Sequence, residues 1–386
     1  MKRLNKMYAI ITHMISTLIY IFLSILILQE IKKAYSKAIT VSTGVFIFLG
    51  NIYFIIRSIK RYVGFQVPEL FAFSGGYAFY FLLNLIIIFI PLKIIFYCNN
   101  KFLKGKKNIL HTIESKMKII IAGIFIIISY MIIIGTINTY SLKTTHYAIE
   151  IPKKKSILKS LKIALISDLH LGYSRNNKQV NKVFAMVKAN NPDIILFVGD
   201  IFDFYSKNIP VEILNQLKNL KAPLGKHAVW GNHEIYQNPK KIKKLYAAIG
   251  VKEVGIINDK LTIWDKRFNL AGRYSIHYDR LGRNRKKLVE IIKHRTKNLP
   301  TFVIEHSPHH LPVVYNNNID LHLSGHTHGG QFFPFQWMVA LRYDFVKGLK
   351  KIKNTNFIIS EGIGFSGIPI RLMSTQEVVI IHITFR

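Results

Sequence analysis

The chain has 386 residues, half of them hydrophobic, and a formal net charge of +34 at pH 7. This length is sufficient for two or three domains. Cys98 is the only cysteine, which excludes an intrachain disulfide and a cysteine metal cluster. The basic charge suits an anionic partner such as a lipid headgroup or a phosphoester. Nucleic acid is the alternative partner, but the sequence contains no motif of a nucleic-acid-binding module.

Long apolar runs in the first part of the chain predict four membrane-spanning helices. A span needs about 20 predominantly apolar residues, and the runs that satisfy this are residues 8–29, 38–56, 70–97 and 119–137. The first run is too long for a cleaved signal peptide, and no small-residue cleavage motif follows it. We therefore predict a multi-pass integral membrane protein of the cell or inner membrane, with an all-α transmembrane region in residues 1–150.

The orientation of this region follows from lysine and arginine residues in the short loops. With four spans, nine basic residues lie on the side opposite the C-terminal domain and six lie on its own side. The positive-inside rule then places the C-terminal domain outside the cytoplasm. Lys153, Lys154 and Lys155 favour the other orientation, although charges that lead into a large domain count for less.

Residues 151–386 have a different pattern, which predicts a water-exposed α/β domain behind a polar connector at 138–160. Short apolar strands alternate with helical stretches, and this alternation is typical of a largely parallel sheet. The predicted strands are residues 162–167, 193–198, 227–230, 260–264, 268–271, 301–304, 320–324, 356–360 and 378–384, with helices at 180–189 and 211–220.

Five of the predicted strands end in Asp, Asn or His. In extended backbone, residues two apart point to the same face, so a pair such as His326 and His328 can aim at one point. One polar residue after an apolar strand is ordinary, but five such strand ends are not. The residues are Asp168 and His170, Asp200 with Asp203, Asn232 and His233, His306, and His326 and His328.

This set of side chains predicts a metal site. Carboxylate, imidazole and amide ligands without thiolate suit Mn²⁺, Fe²⁺, Zn²⁺ or Co²⁺. Without Asp203 and His233 the set contains seven ligands. This number is too large for one tetrahedral site and suits two ions that share a bridge. Two ions about 3.5–4 Å apart attract an anion and can clamp the attacking and leaving oxygens of a displacement at phosphorus. His233, beside the ligand Asn232, is then available as a general acid or transition-state donor.

These motifs resemble those of the calcineurin-like metallophosphoesterase superfamily over roughly residues 160–386. The motifs are Asp168-x-His170, Gly199-Asp200-x-x-Asp203, Gly231-Asn232-His233-Glu234, His306 and Gly325-His326-x-His328. The Gly-Asn-His-Glu and Gly-His-Thr-His-Gly-Gly-Gln versions are similar to those of membrane-associated bacterial phosphodiesterases, relatives of the enzyme that cleaves UDP-diacylglucosamine.

The resemblance implies a four-layer α/β/β/α sandwich and two divalent ions bridged by Asp200. It also implies a catalytic His233 that is oriented by Asp203. One departure leaves substrate contacts open, because Gly272-Arg273-Tyr274 stands where acidic residues are expected. The first ion is expected on Asp168, His170, Asp200 and His328, and the second on Asp200, Asn232, His306 and His326.

The expected function is a membrane-anchored phosphodiesterase that uses a metal-bound hydroxide on a lipid-linked or nucleotide-sugar type phosphoester. A nuclease or phosphomonoesterase of the same superfamily is the alternative enzyme, and a membrane scaffold or sensor with a metal-binding domain is the alternative outside enzymes. The aromatic run at 331–338 admits two interpretations, sheet core or a lip that touches membrane lipid.

Overall fold

The computed structural model describes residues 69–102, 117–172, 174–203, 209–251, 256–264 and 266–386, with short helical pieces between 21 and 52. The chain divides into two compact units, residues 1–134 and 135–386. Each unit has its own apolar core.

Two helices of the described residues are long and apolar enough to cross a membrane. Helix α1 is Glu69–Phe102 and helix α2 is Met117–Asn138, and their most apolar stretches are Phe73–Ile95 and Ile119–Asn138. They coincide with the third and fourth predicted spans. The first two predicted spans, 8–29 and 38–56, are described only in short helical pieces and stay predictions.

A five-stranded sheet forms the first half of the second unit. Its strands are β1 (Leu142–Ile151), β2 (Ser160–Ile166), β3 (Ile194–Val198), β4 (Lys226–Val229) and β11 (Gln376–Phe385), in the order β1-β11-β2-β3-β4. The pairing is mixed, because β11 runs antiparallel to β2 and the other neighbours are parallel.

A six-stranded mixed sheet forms the second half. Its strands are β5 (Lys260–Trp264), β6 (Phe268–Arg273), β7 (Thr301–Glu305), β8 (Leu321–Ser324), β9 (Gly348–Ile352) and β10 (Thr355–Ile359), in the order β5-β6-β7-β8-β10-β9. Strands β6, β7, β8 and β10 are parallel, and the two outer strands are antiparallel to them.

The two sheets pack face to face, with helices on both outer faces. Alternation along a strand divides the side chains: Leu196 of β3 lies in the core between the sheets, and Phe197 lies in the core under the helices of the first sheet. A third core covers the outer face of the second sheet. The helices are α3 (Ser174–Asn190), α4 (Val211–Asn219), α5 (Asn232–Ile235), α6 (Pro239–Ala248), α7 (His277–Arg280), α8 (Leu288–Ile292), α9 (Leu311–Tyr315) and α10 (Phe335–Ala340).

This arrangement is the α/β sandwich of four layers that the sequence resemblance implies. One local prediction is wrong: the polar connector at 138–160 contains β1, which pairs in parallel with β11 over ten residues. Strand β1 is the outer strand of its sheet, and seven of its first eight residues are exposed or half-buried. It therefore lacks the continuous apolar run by which the buried strands are recognised.

Candidate metal centre

The polar residues at the strand ends meet at one edge of the sandwich. Strands β2, β3 and β4 of the first sheet and β7 and β8 of the second end there, since the carboxyl ends of parallel strands share an edge. Three overlapping groups have ligand atoms within 4.8 Å of one another. The groups are Asp168, His170 and His328; His170, Asp200 and His233; and Asp200, His306 and His326.

The side-chain nitrogen and oxygen atoms of these groups lie close to one another, and one buried carboxylate oxygen among them has no hydrogen-bond donor within the described residues. His170 Nε2 lies 3.2 Å from His328 Nε2, and His306 Nε2 lies 3.2 Å from His326 Nδ1. Asp168 Oδ1 is buried and has no hydrogen-bond partner among the residues that the structure describes. Buried acceptors of this kind are normally paired. Together with the imidazole and carboxylate chemistry of the set, this arrangement fits divalent cations.

Asn232 extends this donor set. It opens helix α5 directly after Gly231, and its Oδ1 is buried without a hydrogen-bond partner among the described residues. The backbone N–H of the next residue, His233, donates to Asp200 Oδ1 at 2.8 Å. The turn therefore holds Asn232 beside Asp200, as expected for two ligands of one ion.

The partner of the Nδ1 atom fixes which nitrogen of each histidine faces the centre. Asp203 lies between two rings: its Oδ2 is 3.3 Å from His170 Nδ1 and its Oδ1 is 3.3 Å from His233 Nδ1. His306 Nδ1 lies 2.8 Å from the Val198 carbonyl, to which it donates. In all three histidines Nε2 is thereby directed towards the centre.

Charges and burial act on the pKa values of these groups in opposite directions. Burial lowers the pKa of His233, but the carboxylates of Asp200 and Asp203 outweigh it and raise that pKa to about 9. Burial raises the pKa of Asp200, yet His306 and His233 hold it well below its usual range. Burial and neighbouring histidines lower the pKa of His326 and His328, so both are neutral and can offer a lone pair to a cation.

Backbone strain is concentrated at the same residues. Asp168, His170, Asp200, His326 and His328 all have positive φ, between 48° and 72°. Such conformations cost non-glycine residues on the order of 1–3 kcal/mol each and persist where surrounding contacts determine them. The strain therefore marks a site at which the positions of the side chains outweigh local backbone preference.

Glu234 is one source of that restraint. Its carboxylate accepts four backbone N–H groups, from Asp200, Ile201, Phe202 and Gly231, at 2.7 to 2.9 Å. It thus ties the turn after β3 to the turn after β4. The sequence motif includes Glu234, but its role was not predicted, because three of the four groups that it binds lie more than thirty residues away in the chain.

Gly325 allows the strand ends to approach each other. A Cβ there would overlap Ser167 Oγ and Asp168 Oδ2. The next residue, His326, donates its backbone N–H to the same Asp168 Oδ2 at 2.9 Å. The glycine before the first histidine is therefore required by a close contact between two sheets.

Three further residues at the centre were not predicted from sequence. Arg371 is fully buried, and its Nη2 lies 3.1 Å from His328 Nδ1. The ring of His277 lies 5.2 Å from that of His326, and Arg280 Nη1 lies 3.0 Å from His277 Nε2. No motif in the sequence marks His277, and its contact with His326 reveals its position.

The departure at Gly272-Arg273-Tyr274 has a structural explanation. Arg273 is buried and lies 3.4 Å from Glu305, which also accepts from Arg285 at 2.5 Å. Asp279 binds Arg285 Nε at 2.8 Å and is likewise held by a positive side chain. The basic residue at the end of β6 thus pairs with the last residue of β7.

The chain is similar to proteins named as metallophosphoesterases. Residues 161–330 match the family model described as calcineurin-like phosphoesterase. An uncharacterized metallophosphoesterase of Campylobacter jejuni is 28% identical over 285 residues, which cover 73% of this chain and 74% of the relative. An uncharacterized metallophosphoesterase of Aquifex aeolicus is 33% identical over 257 residues, 64% of this chain and 94% of that protein.

A vertebrate relative combines two features of this chain in its name. The Bos taurus protein, a transmembrane protein with metallophosphoesterase domain, is 30% identical over 236 residues. The match covers 57% of this chain and 52% of the bovine protein. About half of the bovine protein lies outside the matched region.

Proposed function

The chain belongs to the calcineurin-like phosphoesterase family, and on that premise we propose that it is a membrane-anchored, metal-dependent phosphodiesterase. The observation that carries the proposal is the convergence of possible metal-ligand atoms, two of which have no hydrogen-bond partner among the described residues. Asp168 Oδ1 and Asn232 Oδ1 are buried without partners among the described residues, beside the facing histidine nitrogens. Metals bound by such donors are typical of hydrolytic sites.

We propose two ions with Asp200 between them. Asp200 Oδ2 lies 3.2 Å from His306 Nε2, and Asp200 also belongs to a group with His170. Its carboxylate is thus within reach of both halves of the centre. The first ion would use Asp168, His170, Asp200 and His328, and the second Asp200, Asn232, His306 and His326.

In the proposed mechanism the ions act as Lewis acids and a protein side chain transfers the proton. Bound divalent ions supply Lewis acidity, which activates water and stabilises negative charge on the phosphoryl group. His233 Nε2 faces the centre 3.9 Å from Asp200 Oδ2, and Asp203 holds the ring by Nδ1. His233 can therefore donate a proton to the leaving oxygen. Arg280, next to His277 at the rim, adds positive charge that favours an anionic ester.

Membrane attachment supports a lipid-linked substrate. Helices α1 and α2 are long and apolar enough to span a bilayer, and the bovine relative is named a transmembrane protein. A net charge of +34 favours anionic lipid surfaces. We propose a phosphodiester of a lipid or of a nucleotide-sugar type, as in the UDP-diacylglucosamine-cleaving enzymes, and a catalytic domain on the outer side of a multi-pass protein.

Metal analysis and a panel of esters test this function. The purified full chain should hold two divalent ions and hydrolyse a nitrophenyl diester faster than a nitrophenyl monoester. Asp200→Ala should lose both ions and the activity, whereas the exposed Asp344→Ala should keep both. Full metal content and activity in Asp200→Ala would end the two-ion proposal. Salt-sensitive cleavage of DNA would favour a nuclease, and metal binding without hydrolysis would favour a scaffold or sensor.

A further inference from the structure

Helix α10 presents an apolar surface to the outside of the second unit. Phe335, Trp337, Met338 and Leu341, here called the apolar lip, are 43%, 58%, 63% and 91% exposed. Single exposed apolar residues are common, but four within seven residues form a contiguous patch of the kind that marks an interaction surface. Of helix α10 itself only Val339 is buried, so the sheet-core interpretation of this aromatic run does not hold for the lip.

The lip is held in a defined position. The rings of Phe332 and Phe333 are half-buried and contact Phe335 and Trp337, with centroid distances of 5.6 and 4.9 Å. Gly330 lies so close to Gln336 that an added Cβ would be 2.6 Å from its Cβ. The exposed side chains therefore stand on a packed base, and their exposure is a property of the fold.

The segments on both sides of the lip reach the metal centre. The proposed ligand His328 begins the turn His328–Gly330 that leads into the lip. Tyr343, just after the lip, is buried, and its ring centroid is 6.0 Å from that of His326. Whatever covers the lip is consequently beside the centre at which a substrate is bound.

The last residues of helix α2, from Gly135 onwards, belong to the second unit and are hydrogen-bonded to the same part of it. The carbonyl of Gly135 accepts the backbone N–H of Arg371 at 2.8 Å, and Asn138 Nδ2 donates to the carbonyl of Arg371 at 3.1 Å. The next residue, Leu372, donates its backbone N–H to the carbonyl of Gln331 at 2.9 Å. One hydrogen-bonded strip therefore joins the last turn of a helix apolar enough to cross a bilayer with the base of the lip.

The composition of the lip and its border suits the interfacial zone of a bilayer. Tryptophan is enriched at membrane interfaces, where its ring is apolar and its N–H remains wet. Arg342 is exposed immediately after the lip. Lys347 follows in the same stretch, where it donates to the carbonyl of the exposed Met373 and pairs with Glu361 at 3.3 Å. Asp344 is the exposed acidic residue of this stretch. Basic residues around an apolar patch favour anionic headgroups.

We propose that the apolar lip inserts into the headgroup–acyl boundary of the bilayer and that the metal centre takes its phosphoester from the lipid at that surface. The occupant is the membrane in which the chain's own helix α2 ends. The identity of the substrate rests on the proposed function, whereas insertion of the lip does not. Insertion leaves the metal centre facing headgroup phosphates at short range and removes the need for a lipid to leave the bilayer.

Tryptophan fluorescence tests insertion directly. The chain has three tryptophans, all in residues 135–386, and Trp230 is buried while Trp264 is half-buried. The full chain is placed in nanodiscs of ordinary or chain-brominated phosphatidylcholine, since bromine quenches only a tryptophan that reaches the acyl boundary. Wild type should be quenched and Trp337→Phe should show little quenching. Equal quenching of the two proteins would overturn insertion. A lip that binds another protein would also give this result.

The kinetic test uses two diesters with the same leaving group. Phosphatidyl-p-nitrophenol presents the ester in the nanodisc, and methyl p-nitrophenyl phosphate presents it in water. In Trp337→Ser/Met338→Ser/Leu341→Ser the ratio of lipid rate to soluble rate should fall by about tenfold or more, because the lost apolar contacts weaken interfacial binding. The matched control Ile157→Ser/Val211→Ser/Val289→Ser replaces equally apolar exposed residues elsewhere, and its ratio should stay unchanged.

The outcomes separate the two proposals. If wild type hydrolyses neither diester, the proposed function fails, and fluorescence alone then decides whether the lip inserts. If both diesters are hydrolysed and the lip variant keeps the wild-type ratio, the supply of substrate from the membrane surface is overturned while the phosphodiesterase stands.

Discussion

Asp203 contacts two histidines that have different proposed roles. Its two oxygens each lie 3.3 Å from an Nδ1 atom, one of His170 and one of His233. Burial raises the pKa of Asp203, but His233 and His170 lower it well below its usual range, so it is a carboxylate that accepts from both rings. The sequence interpretation connected Asp203 with His233 alone. The structure shows one carboxylate that positions both a metal ligand and the proposed acid.

Asp203→Asn should therefore weaken metal binding as well as slow the reaction. The amide retains one acceptor oxygen and places a donor against the second ring, so one histidine loses its support. Changes of this kind cost about 10–100-fold in metal affinity or activity. Metal titration and kcat should both fall, while Asp344→Asn should match wild type. A fall in kcat at unchanged metal affinity would show that the contact with His170 has no role in metal binding.

His233→Ala should separate catalysis from metal binding. The imidazole is not among the proposed ligands, and general acid catalysis is worth roughly 10²–10⁴-fold. We expect a fall of that order in kcat with two ions retained, and a smaller fall for nitrophenyl esters, whose leaving group needs little protonation. Metal content and kcat on an activated and an unactivated diester measure this. Loss of the ions, or a wild-type rate on the unactivated diester, contradicts the assigned role.

Residues of the centre that directly follow a strand could be predicted from the sequence, whereas those placed by contacts remote in the chain could not. Asp168, His170, His326 and His328 follow apolar strands, so their position and chemistry identify them without knowledge of the fold. The assumption that they lie in extended backbone is wrong, because all four have positive φ. Arg371 gives no such signal, because its contact with His328 spans 43 residues and depends on the loop after β10. The residues that hold the ligands are therefore less visible in the sequence than the ligands.

At the scale of an element, Glu234 joins the turns after β3 and β4 by accepting four backbone N–H groups. Glu234→Gln would place an amide donor against these donors. An unsatisfied buried group costs about 1–3 kcal/mol, so the melting temperature of the full chain in detergent should fall by several degrees. Glu290→Gln is the matched control, because Glu290 is exposed and accepts one backbone N–H, from Lys287, at 3.1 Å. An equal effect of both variants would contradict the restraint assigned to Glu234.

Strand β8 carries a second element-scale prediction. His322 is fully buried, and neither ring nitrogen has a hydrogen-bond partner among the described residues. Burial and then Arg273 lower its pKa from 6.5 to about 3. Between these values the unfolded chain binds a proton that the folded chain does not, so stability is lost as pH falls. At pH 5 this amounts to about 2 kcal/mol.

His322→Leu should remove that loss. Its melting temperature relative to wild type should be several degrees higher at pH 5 than at pH 7.5, because leucine has no proton to bind. Comparison with wild type at each pH cancels the effects shared by the histidines of the centre. The exposed His294→Leu serves as control and should show no such difference. A pH-independent difference for His322→Leu would show that His322 is not held neutral by burial.

Strands that are buried on both faces are predicted from the sequence, and the outer strand β5 is predicted as well although none of its residues is buried. Ile194–Val198 is apolar at every position and buried throughout. Strand β9, Gly348–Ile352, was missed because it is an outer strand with two lysines and three exposed residues. Pairing with β10 makes it a strand, and a pairing partner is not visible in local composition. The same reason applies to β1, so the errors lie at the two outer edges of the sheets.

At the scale of the whole molecule, helices α1 and α2 determine which segments share a side of the membrane. Each is long and apolar enough to cross once, so the segments before α1 and after α2 are on the same side. The segment between them contains Lys104, Lys106 and Lys107 and adjoins Lys101 and Lys116. The positive-inside rule places such a loop in the cytoplasm. We therefore predict that the second unit lies on the outer side, the orientation that the sequence interpretation also predicts.

The single native cysteine makes this topology testable by labelling. In a Cys98→Ser background, Lys60→Cys, Lys106→Cys and Arg386→Cys each provide one thiol, and intact cells are treated with a membrane-impermeant maleimide. Cysteines at 60 and 386 should react, and the cysteine at 106 should react only after permeabilisation, because two crossings separate 60 from 386 and one separates 106 from 386. Opposite results at 60 and 386 would contradict the two crossings. Labelling of 106 alone would keep the crossings and place the catalytic unit in the cytoplasm.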